Sequence, residues 1–393
     1  MAENLPFTGL RILDLSQGIA GPYCTEIFWQ QGAEVIKVEP PAGDWGRHVG
    51  VNRDGQSAVS TSYNGGKQSV CIDARTEAGQ QVLRRLAAQA DMVVQNFRPG
   101  VADKLGMGYA QLAQDRPDLV YVSISGYGKD GPYAAAPASD SVMQADSGLM
   151  FSNQGVDRMP RRVGFLLADI ATALYAAQQA TTALYQRAVQ GVGSHIELSL
   201  FEACAALQSN DIASFQVLGD KPVGAVSAPN GVFDTADGRL SVLALNNDQF
   251  ARLCNALERP EWLADERFDS NEKRMAHRDF LHAALAEQLR AAGSEHWEAS
   301  FRQHDVLHAV VRDYEDLVAH PQAVHLGMFE PVTQPGLGNL FLPGLPGGRG
   351  RRLQPAPRIG EHTVDVLSKA GLGQEEINRL LSQEVIRQAQ ADK

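Results

Sequence analysis

The chain has 393 residues, about three times the usual size of a single domain, so we expect two domains. It carries 35 lysines and arginines against 46 aspartates and glutamates, a net charge of -11 with no long run of either sign. This balance argues against a nucleic acid or an anionic membrane bound through bulk charge. With 44% hydrophobic and 21% charged residues, the composition fits an ordinary soluble enzyme and excludes a disordered chain.

The sequence gives no sign of a metal site, a disulfide framework or a membrane span. Its cysteines have no CxxC spacing, and the N-terminal residues lack a basic segment followed by an apolar one, which predicts a reducing, cytoplasmic compartment. The most apolar stretch, residues 163–184, contains Asp169, two glutamines and several threonines, which are costly in a bilayer. We therefore expect a buried helix there. The cysteines are Cys24, Cys71, Cys204 and Cys254.

The first third of the chain alternates short apolar segments with helical patterns. A glycine-rich turn at residues 18–22, with Pro22 suited to a first helical position, separates the first two predicted strands. Helices are predicted over residues 76–90 and in the first part of 102–125. This alternation predicts an α/β fold with a parallel sheet. The predicted strands are residues 11–16, 33–39, 69–73, 91–97 and 120–125.

The middle and end of the chain have a different pattern of predicted elements. A long alanine- and leucine-rich helix is predicted over residues 169–189, and a linker over 219–229. Residues 231–246 predict a hairpin with Asp237 and Gly238 at its turn, followed by helices with caps near Asn247 and at Ser294. A last helix is expected from about Gln374, in a tail that begins at Leu326 and can pack back on the first domain.

Three local patterns are considered and set aside. Gly126, Gly128 and Gly131 spell GxGxxG after a predicted strand, but Pro132 follows and no acidic residue closes the unit, so a flexible loop is favoured over a dinucleotide site. His304 and His308 have helical spacing without an accompanying carboxylate, which favours a solvated helix face over zinc. No GxSxG motif supports serine hydrolase chemistry.

Asp169 is the carboxylate that physical reasoning singles out. It lies between apolar residues on both sides, where an ionised carboxylate loses hydration unless something uses it or pairs with it. Because it precedes a good helix-forming run, a helix N-cap is the alternative interpretation. The local sequence alone favours the cap, although one carboxylate can serve both purposes.

The turn before the first predicted helix offers free backbone N–H groups, which form a natural anion site. Arg47, Arg75, Arg98 and Lys104 follow the ends of successive strands, where open α/β sheets bind their ligands. Each alone is more often a solvated surface charge, but together they predict a groove for an anionic cofactor.

Several segments of the sequence resemble one known family. They are GLRILDLSQGIAGPYCTEIFWQQGAEVIKVEPPAGD, the strand GGKQSVCID, VVQNFRPG, VYVSISGYGKDGPY, SDSVMQADSG and the stretch from Asp169 to Gly193. Together they are similar to the class III coenzyme A transferases, the CaiB/BaiF-like group of formyl-CoA and carnitine CoA-transferases. The likeness covers nearly the whole chain, and its motifs are specific in their order and spacing.

The resemblance implies an α/β fold with a Rossmann-like large domain built from both chain ends, and a smaller α+β domain. It implies residues 1–224 as the first part of the CoA-binding domain, 225–325 as the small domain, and 326–393 as the return to the large one. It also implies a homodimer whose two chains are interlocked like rings. Acyl-CoA and a small carboxylic acid are the implied partners, with CoA thioesters as substrates and no permanently bound cofactor.

The resemblance further implies that Asp169 is the catalytic nucleophile, which reverses the preference for a mere cap. The carboxylate attacks an acyl-CoA to give an aspartyl anhydride, and an aspartyl-CoA thioester follows before CoA reaches the acceptor acid. Succinyl-CoA and a short mono- or dicarboxylic acid are the expected substrates. The positions that match the family's CoA-binding places are Ile19, Ala20, Ile72, Asp73, Ala74, Arg75, Asn96, Phe97, Arg98, Lys104 and Asp140.

The sequence also departs from the family. Pro40 stands where members often carry an arginine, and residues 221–231 give no clear counterpart of the glycine-rich loop that shields the aspartyl intermediates in some members. Trp45, Arg47 and His48 are candidates for an acceptor pocket, or for structural roles.

Two alternatives remain on the same fold. The related 2-methylacyl-CoA racemases use a histidine base where this chain has Ser139, which disfavours racemisation or epimerisation. A non-catalytic CoA-binding protein is expected to lose the nucleophile, whereas Asp169 is present.

Overall fold

A computed structural model describes residues 5–155, 157–219, 226–347 and 352–390. The chain divides into two compact units, one of Met1–Asp211 with Leu326–Lys393 and the other of Ile212–His325. The domain limit predicted between residues 224 and 225 lies outside the described residues, as does part of the predicted linker. No helix among the described residues is long and apolar enough to cross a bilayer.

The strands, in chain order, are β1 (Arg11–Asp14), β2 (Glu34–Glu39), β3 (Asn52–Arg53), β4 (Gln56–Ser57), β5 (Gln68–Ile72), β6 (Met92–Gln95), β7 (Val120–Ser125), β8 (Ser194–Ser199), β9 (Asn230–Asp234), β10 (Arg239–Leu243), β11 (Leu307–Val310), β12 (Phe329–Gln334), β13 (Gly338–Pro343) and β14 (Ile386–Arg387). The α-helices are α1 (Ala20–Gln30), α2 (Ala58–Asn64), α3 (Glu77–Ala87), α4 (Val101–Lys104), α5 (Tyr109–Leu112), α6 (Asp140–Asp146), α7 (Leu149–Ser152), α8 (Leu167–Gln190), α9 (Leu200–Leu207), α10 (Ser209–Leu218), α11 (Asn247–Ala256), α12 (Asn271–Ala276), α13 (Arg278–Leu289), α14 (Ser294–Gln303), α15 (Tyr314–Ala319), α16 (Pro321–His325), α17 (Thr363–Lys369) and α18 (Gln374–Ser382). Short 3₁₀ turns lie at Trp45–His48 and Pro260–Trp262.

The larger unit is built on a sheet whose strand order, in the described residues, is β14-β5-β2-β1-β6-β7-β8. All neighbouring pairs are parallel except β14 with β5. Parallel neighbours need crossover connections, and helices supply them. The predicted α/β fold with a parallel sheet is therefore confirmed.

Both faces of this sheet are covered because its strands alternate apolar side chains between two cores. In β1, Leu13 packs in a core with α3, α17 and α18, whereas its neighbour Ile12 packs in a core with α1 and α8. Successive side chains of a strand point to opposite faces, so a strand buried on both sides reads as a continuous apolar run. This explains why the strands are so visible in the sequence.

The predicted long helix is confirmed as α8, which begins two residues earlier than expected. Its buried face consists largely of small alanine side chains, such as Ala173, Ala176 and Ala180, which allow α8 to pack closely against α1. The helix predicted before β7 is instead two short helices, α4 and α5. Gly106 between them has a φ of +70°, a left-handed conformation that ends α4.

The C-terminal segment closes one edge of the sheet. Ile386 of β14 lies opposite Ile72 of β5, and the backbone N–H of Gly360 donates to the Ser69 hydroxyl at 2.8 Å. Gly360 has a φ of +69°, and a Cβ there would lie 2.5 Å from the Arg387 carbonyl oxygen, so a side chain does not fit. The edge of β5 is thus paired and protected by a segment more than 300 residues further along the chain.

The smaller unit contains the predicted hairpin, formed by β9 and β10, with β11 added antiparallel to β10. The N–H of Gly238 in the turn donates to the Thr235 hydroxyl at 2.9 Å. Helices α11, α13 and α14 share a core with this sheet. The N-caps of α11 and α14 are Asn246 and Gly293, each one residue before the predicted position.

The prediction that His304 and His308 share a helix face is wrong. The helix α14 ends at Gln303, and Asp305 adopts a left-handed φ of +53° that turns the chain away. His308 lies in β11, and the ring nitrogens of both histidines contact backbone carbonyl oxygens nearby.

A buried network of charged side chains lies at the carboxyl end of β1. The Asp14 carboxylate is 3.0 Å from Lys67 Nζ and 3.9 Å from Lys37 Nζ. Lys37 also pairs with Asp44 at 2.8 Å, and Asp44 accepts the N–H of Gly18. Burial alone would raise the pKa of Asp14, but the two lysines and neighbouring hydroxyls hold it at about 2. The network ties the strands to the turn that precedes α1.

We expect Asp14→Ala to lower the free energy of unfolding by about 3–5 kcal/mol at pH 7, because it leaves Lys67 buried without its counter-charge and removes one of the two carboxylates beside Lys37. The contribution of Asp14 is complete above its ordinary pKa of 3.8 and is lost as the pH falls through about 2. The deficit should therefore shrink between pH 4 and pH 2 in urea unfolding followed by circular dichroism. The control is Asp365→Ala, which removes an exposed pair with Lys369 and should cost less than about 1 kcal/mol. A deficit at pH 7 no larger than that of the control would contradict this account.

Candidate active site

Asp169 lies in the first turn of α8, but it is not the N-cap. Leu166 occupies the cap position without a side-chain hydrogen bond, so the cap interpretation of Asp169 is wrong. The capping side chain comes instead from Asp140, whose Oδ1 accepts the N–H of Ala168 at 2.8 Å and of Asp169 at 3.4 Å. Its other oxygen accepts the amide of Gln144 at 2.7 Å. Asp140 thus satisfies the free N–H groups that every helix start exposes.

Burial and the neighbouring Asp140 carboxylate raise the pKa of Asp169 from its ordinary value to about 7. Both effects disfavour the ionised form, since the first removes water and the second brings a like charge close. Asp169 therefore exchanges its proton near neutral pH, as nucleophiles and proton-transfer groups of active sites often do. The sequence already indicated this position through the apolar residues around it.

Asp169 opens into a cavity of about 590 Å³ at the carboxyl edge of the sheet. Its walls come from the turn before α1, the 3₁₀ turn at Trp45–His48, the segment after β6 and the loop between β7 and α6. Of the predicted site residues, seven line this cavity together: Ile19, Ala20, Asn96, Phe97, Arg98, Asp140 and Asp169.

Two glycines allow these walls to approach each other. Gly18 has a φ of +79°, and a Cβ on it would lie 1.9 Å from the Trp45 ring. A Cβ on Gly126 would lie 2.2 Å from the Cβ of Ala138. The first glycine of the GxGxxG string thus serves close packing after β7, and no helix begins until Asp140, unlike a dinucleotide-binding turn.

The remaining predicted CoA contacts lie elsewhere. Ile72 ends β5, two strands away from β1 in the sheet, and Asp73, Ala74 and Arg75 follow it; none of them lines the cavity. Arg75 is exposed and pairs with Asp73 at 2.7 Å. Lys104 is also exposed, at the end of α4. Asp73, Ala74 and Arg75 directly follow a parallel strand, so they share the carboxyl edge of the sheet with the Asp169 cavity.

A second cavity of about 580 Å³ adjoins the first and shares Phe97, Arg98 and Pro99 with it. Here the ring of His195 stacks on Tyr109 at 4.5 Å and contacts the Ser123 hydroxyl at 2.9 Å. No sequence pattern predicts this cavity, because His195 and Tyr109 are far apart in the chain and carry no motif.

Arg47 is not available as an anion donor, contrary to the sequence prediction. Its guanidinium is buried and donates to the Glu39 carboxylate at 2.6 and 2.7 Å and to the Pro357 carbonyl oxygen at 2.9 Å. Trp45 lines the cavity, as an acceptor pocket would require, but His48 is exposed and does not line it. Sequence reasoning missed the Glu39 pairing, since the two residues meet only across the turn that follows β2.

The comparisons with known proteins agree on one family. The family model described as CoA-transferase family III matches residues 7–363. Succinyl-CoA:glutarate CoA-transferase of Homo sapiens is 32% identical over 93% of this chain and 86% of its own length. Acetyl-CoA:oxalate CoA-transferase of Acetobacter aceti is 36% identical over 74% of this chain and 77% of its own length.

Solved structures give the same result. A crystal structure of a CaiB/BaiF family protein from Brucella suis superimposes with a TM-score of 0.85 at 32% identity. The match covers 94% of this chain and all of the other. The resemblance stated from sequence strings is therefore confirmed.

We expect Asp169→Asn to be more stable than the natural protein at pH 8, by about 2–4 kcal/mol, because it removes a carboxylate whose ionisation the fold disfavours. A carboxyl group with a raised pKa stabilises the fold below its ordinary value of 3.8, and this contribution is lost as the pH rises through about 7. The advantage should therefore vanish near pH 4 in urea unfolding. As a control, Asp365→Asn alters an exposed side chain and should show no such trend. An advantage of Asp169→Asn that is equal at both pH values would contradict the interpretation.

Proposed function

The chain belongs to CoA-transferase family III, and on that premise we propose that Asp169 is the nucleophile that carries CoA from an acyl-CoA donor to a free carboxylic acid. The observation that carries this proposal is the carboxylate of Asp169, largely withdrawn from water and opening into a cavity at the carboxyl edge of the sheet. A carboxylate suits the task because its leaving ability matches that of the acids it exchanges.

The proposed reaction proceeds through two kinds of aspartyl intermediate. The Asp169 carboxylate attacks the thioester carbonyl of the donor, which forms an anhydride and releases the CoA thiolate. The thiolate then attacks the aspartyl carbonyl, which frees the donor acid and leaves an aspartyl-CoA thioester. The acceptor carboxylate attacks this thioester, which expels the CoA thiolate and forms a second anhydride. The thiolate then attacks the acceptor's carbonyl carbon in this anhydride, which forms the new acyl-CoA and releases the Asp169 carboxylate.

Backbone donors at the start of α1 support this chemistry. The first N–H groups of a helix have no partner within it, and Ile19 and Ala20 bring this end of α1 to the Asp169 cavity. There they can stabilise the negative oxygen that develops at an attacked carbonyl. Gln17, which sequence reasoning did not select, lines the same wall.

For CoA itself we propose the two adjoining cavities and the exposed cations near them. Arg98 borders both cavities, and its guanidinium has no hydrogen bond or ion pair to the part of the chain that the structure describes, so it is available to a phosphate. The segment Ile72–Arg75 and Lys104 remain proposed contacts for the distant end of the molecule. No permanently bound cofactor is needed for this chemistry.

We propose succinyl-CoA as the donor and a short mono- or dicarboxylic acid as the acceptor. Support comes from the relatives: the human protein is named for succinyl-CoA and glutarate, and an Agrobacterium fabrum protein, 31% identical over 93% of this chain, for succinate and glutarate. A racemase would need a base where Ser139 stands, and the Ser139 hydroxyl instead accepts the N–H of Val142 at the start of α6. The free, buried cysteines agree with the proposed cytoplasmic location.

We expect hydroxylamine, added with succinyl-CoA, to inactivate the enzyme and to leave a hydroxamate on Asp169, detectable by peptide mass spectrometry. Asp169→Ala should lower transferase turnover by about a thousandfold or more, since no other group replaces the nucleophile. Asp365→Ala should retain activity, as its side chain is exposed and lies on α17.

Two results would refute the proposal. One is full turnover by Asp169→Ala. The other is deuterium exchange at C2 of a chiral 2-methylacyl-CoA in heavy water without any acceptor acid, which indicates a racemase.

We further propose an interlocked homodimer. Large apolar side chains are exposed on α8 and beside it, among them Leu174, Tyr185, Val189 and Val192. Surfaces of this kind on soluble proteins usually mark interaction sites. A second copy of the chain is the partner that the family resemblance implies.

Analytical ultracentrifugation should give a molecular mass twice the 42.5 kDa of one chain. Because linked chains cannot separate while folded, tagged and untagged dimers should form no mixed species on incubation, yet should mix after denaturation and refolding. A monomer, or mixing without denaturation, would contradict the interlocked arrangement.

A further inference from the structure

A third cavity, of about 280 Å³, also borders the first turn of α8, and we call it the Glu26 cavity. It is lined by Glu26 and Tyr23 of α1, Tyr63 of α2, and Ile170, with residues 342–346 as a further wall. It is separate from the cavity into which Asp169 opens, and no step proposed above uses it.

The Glu26 cavity is a close neighbour of the proposed nucleophile. Ile170, which directly follows Asp169 in α8, is part of its wall. Burial, Tyr23 and the Asp169 carboxylate raise the pKa of Tyr63 to about 12, so the Asp169 charge is felt at this wall. The wall of the Glu26 cavity therefore lies close to Asp169.

Glu26 is a buried carboxyl group without a full set of partners. Only 1% of the residue is exposed, and its Oε2 has no hydrogen-bond partner among the described residues. The other oxygen receives a long hydrogen bond of 3.4 Å from Gln30. Buried polar atoms are nearly always paired, so an orphan on a cavity wall indicates a missing ligand.

Burial raises the pKa of Glu26 to about 8, although Lys67, Gln30 and Arg352 act in the opposite direction. At neutral pH the carboxyl is therefore mostly protonated and can donate a hydrogen bond. The Tyr23 and Tyr63 rings pack 5.0 Å apart, and their hydroxyls make no hydrogen bond in the described part of the chain. Three unused donors thus meet on one small cavity.

We propose that the Glu26 cavity receives the far end of the transferred acid, and that Glu26, Tyr23 and Tyr63 donate hydrogen bonds to a second carboxylate there. This inference rests on the proposed function, because it concerns the acid that is joined to Asp169. Lys67 and Arg352 lie close enough to influence Glu26, and their charges favour an anion over an ammonium group. The cavity is smaller than the pockets of drug-sized ligands, which suits a short dicarboxylic acid.

The test compares kcat/KM for succinyl-CoA with kcat/KM for acetyl-CoA, which has no second carboxylate. In Glu26→Leu the ratio of the two constants should fall about tenfold or more, because a buried anion loses its donor. Glu26→Gln keeps a donor of the same shape and should restore the ratio to within about threefold. The matched control is Glu375→Leu, an exposed residue of α18, which should leave the ratio unchanged.

Thermal unfolding establishes that each variant is folded. If Glu26→Leu does not fold, Tyr63→Phe replaces it, with an expected fall in the ratio of about threefold or more. An unchanged ratio in the folded variants, or an equal fall in the control, overturns the proposal.

Calorimetric titration with glutarate separates this inference from the proposed function. If the natural protein transfers CoA but Glu26→Leu binds glutarate as well as the natural protein does, only the subsite is wrong. If the natural protein transfers no CoA yet loses glutarate binding in Glu26→Leu, the subsite is supported and the proposed reaction is wrong. If the natural protein does not bind glutarate, the subsite is overturned.

Discussion

The architecture of the larger unit depends on how Asp14 is neutralised at the end of its central strand. A carboxylate at this depth is tolerated because Lys37 and Lys67, from neighbouring segments, surround it with charge. Lys37 reaches on to Asp44, which holds the turn before α1 through Gly18. Charge pairing therefore holds the turn before α1, which forms one wall of the Asp169 cavity, whereas the rest of the unit is stabilised mainly by apolar packing.

Most of the larger unit could be predicted from sequence because burial on both faces makes each strand a short apolar run, as in β1 and β7. The errors came where single residues redirect the backbone. Gly106 divides a predicted helix, and Asp305 separates His304 from His308 through a left-handed turn. Such turns depend on one residue each and leave hydrophobic periodicity almost unchanged.

Of the candidate site, the sequence identified Asp169 but not the side chains that pair with the site residues. Asp169 stands out because its apolar neighbours make an unused carboxylate costly, but nothing nearby in sequence indicates that Asp140 would cap its helix from 28 residues away. Arg47 has the sequence signature of a surface cation, and only the fold brings it against Glu39. Pairings that form across turns and loops decide which charges remain free for a ligand, and a single sequence does not record them.

The pairing of β14 with β5 has a consequence for synthesis on the ribosome. All residues of the smaller unit are synthesised before β14, whereas β5 keeps an unpaired edge until β14 has been added. The larger unit is thus completed only after the smaller unit has been made, and the nascent chain carries an open sheet edge throughout that interval. Until β14 pairs with it, the edge of β5 must be kept from pairing with other chains, although it is covered in the folded protein.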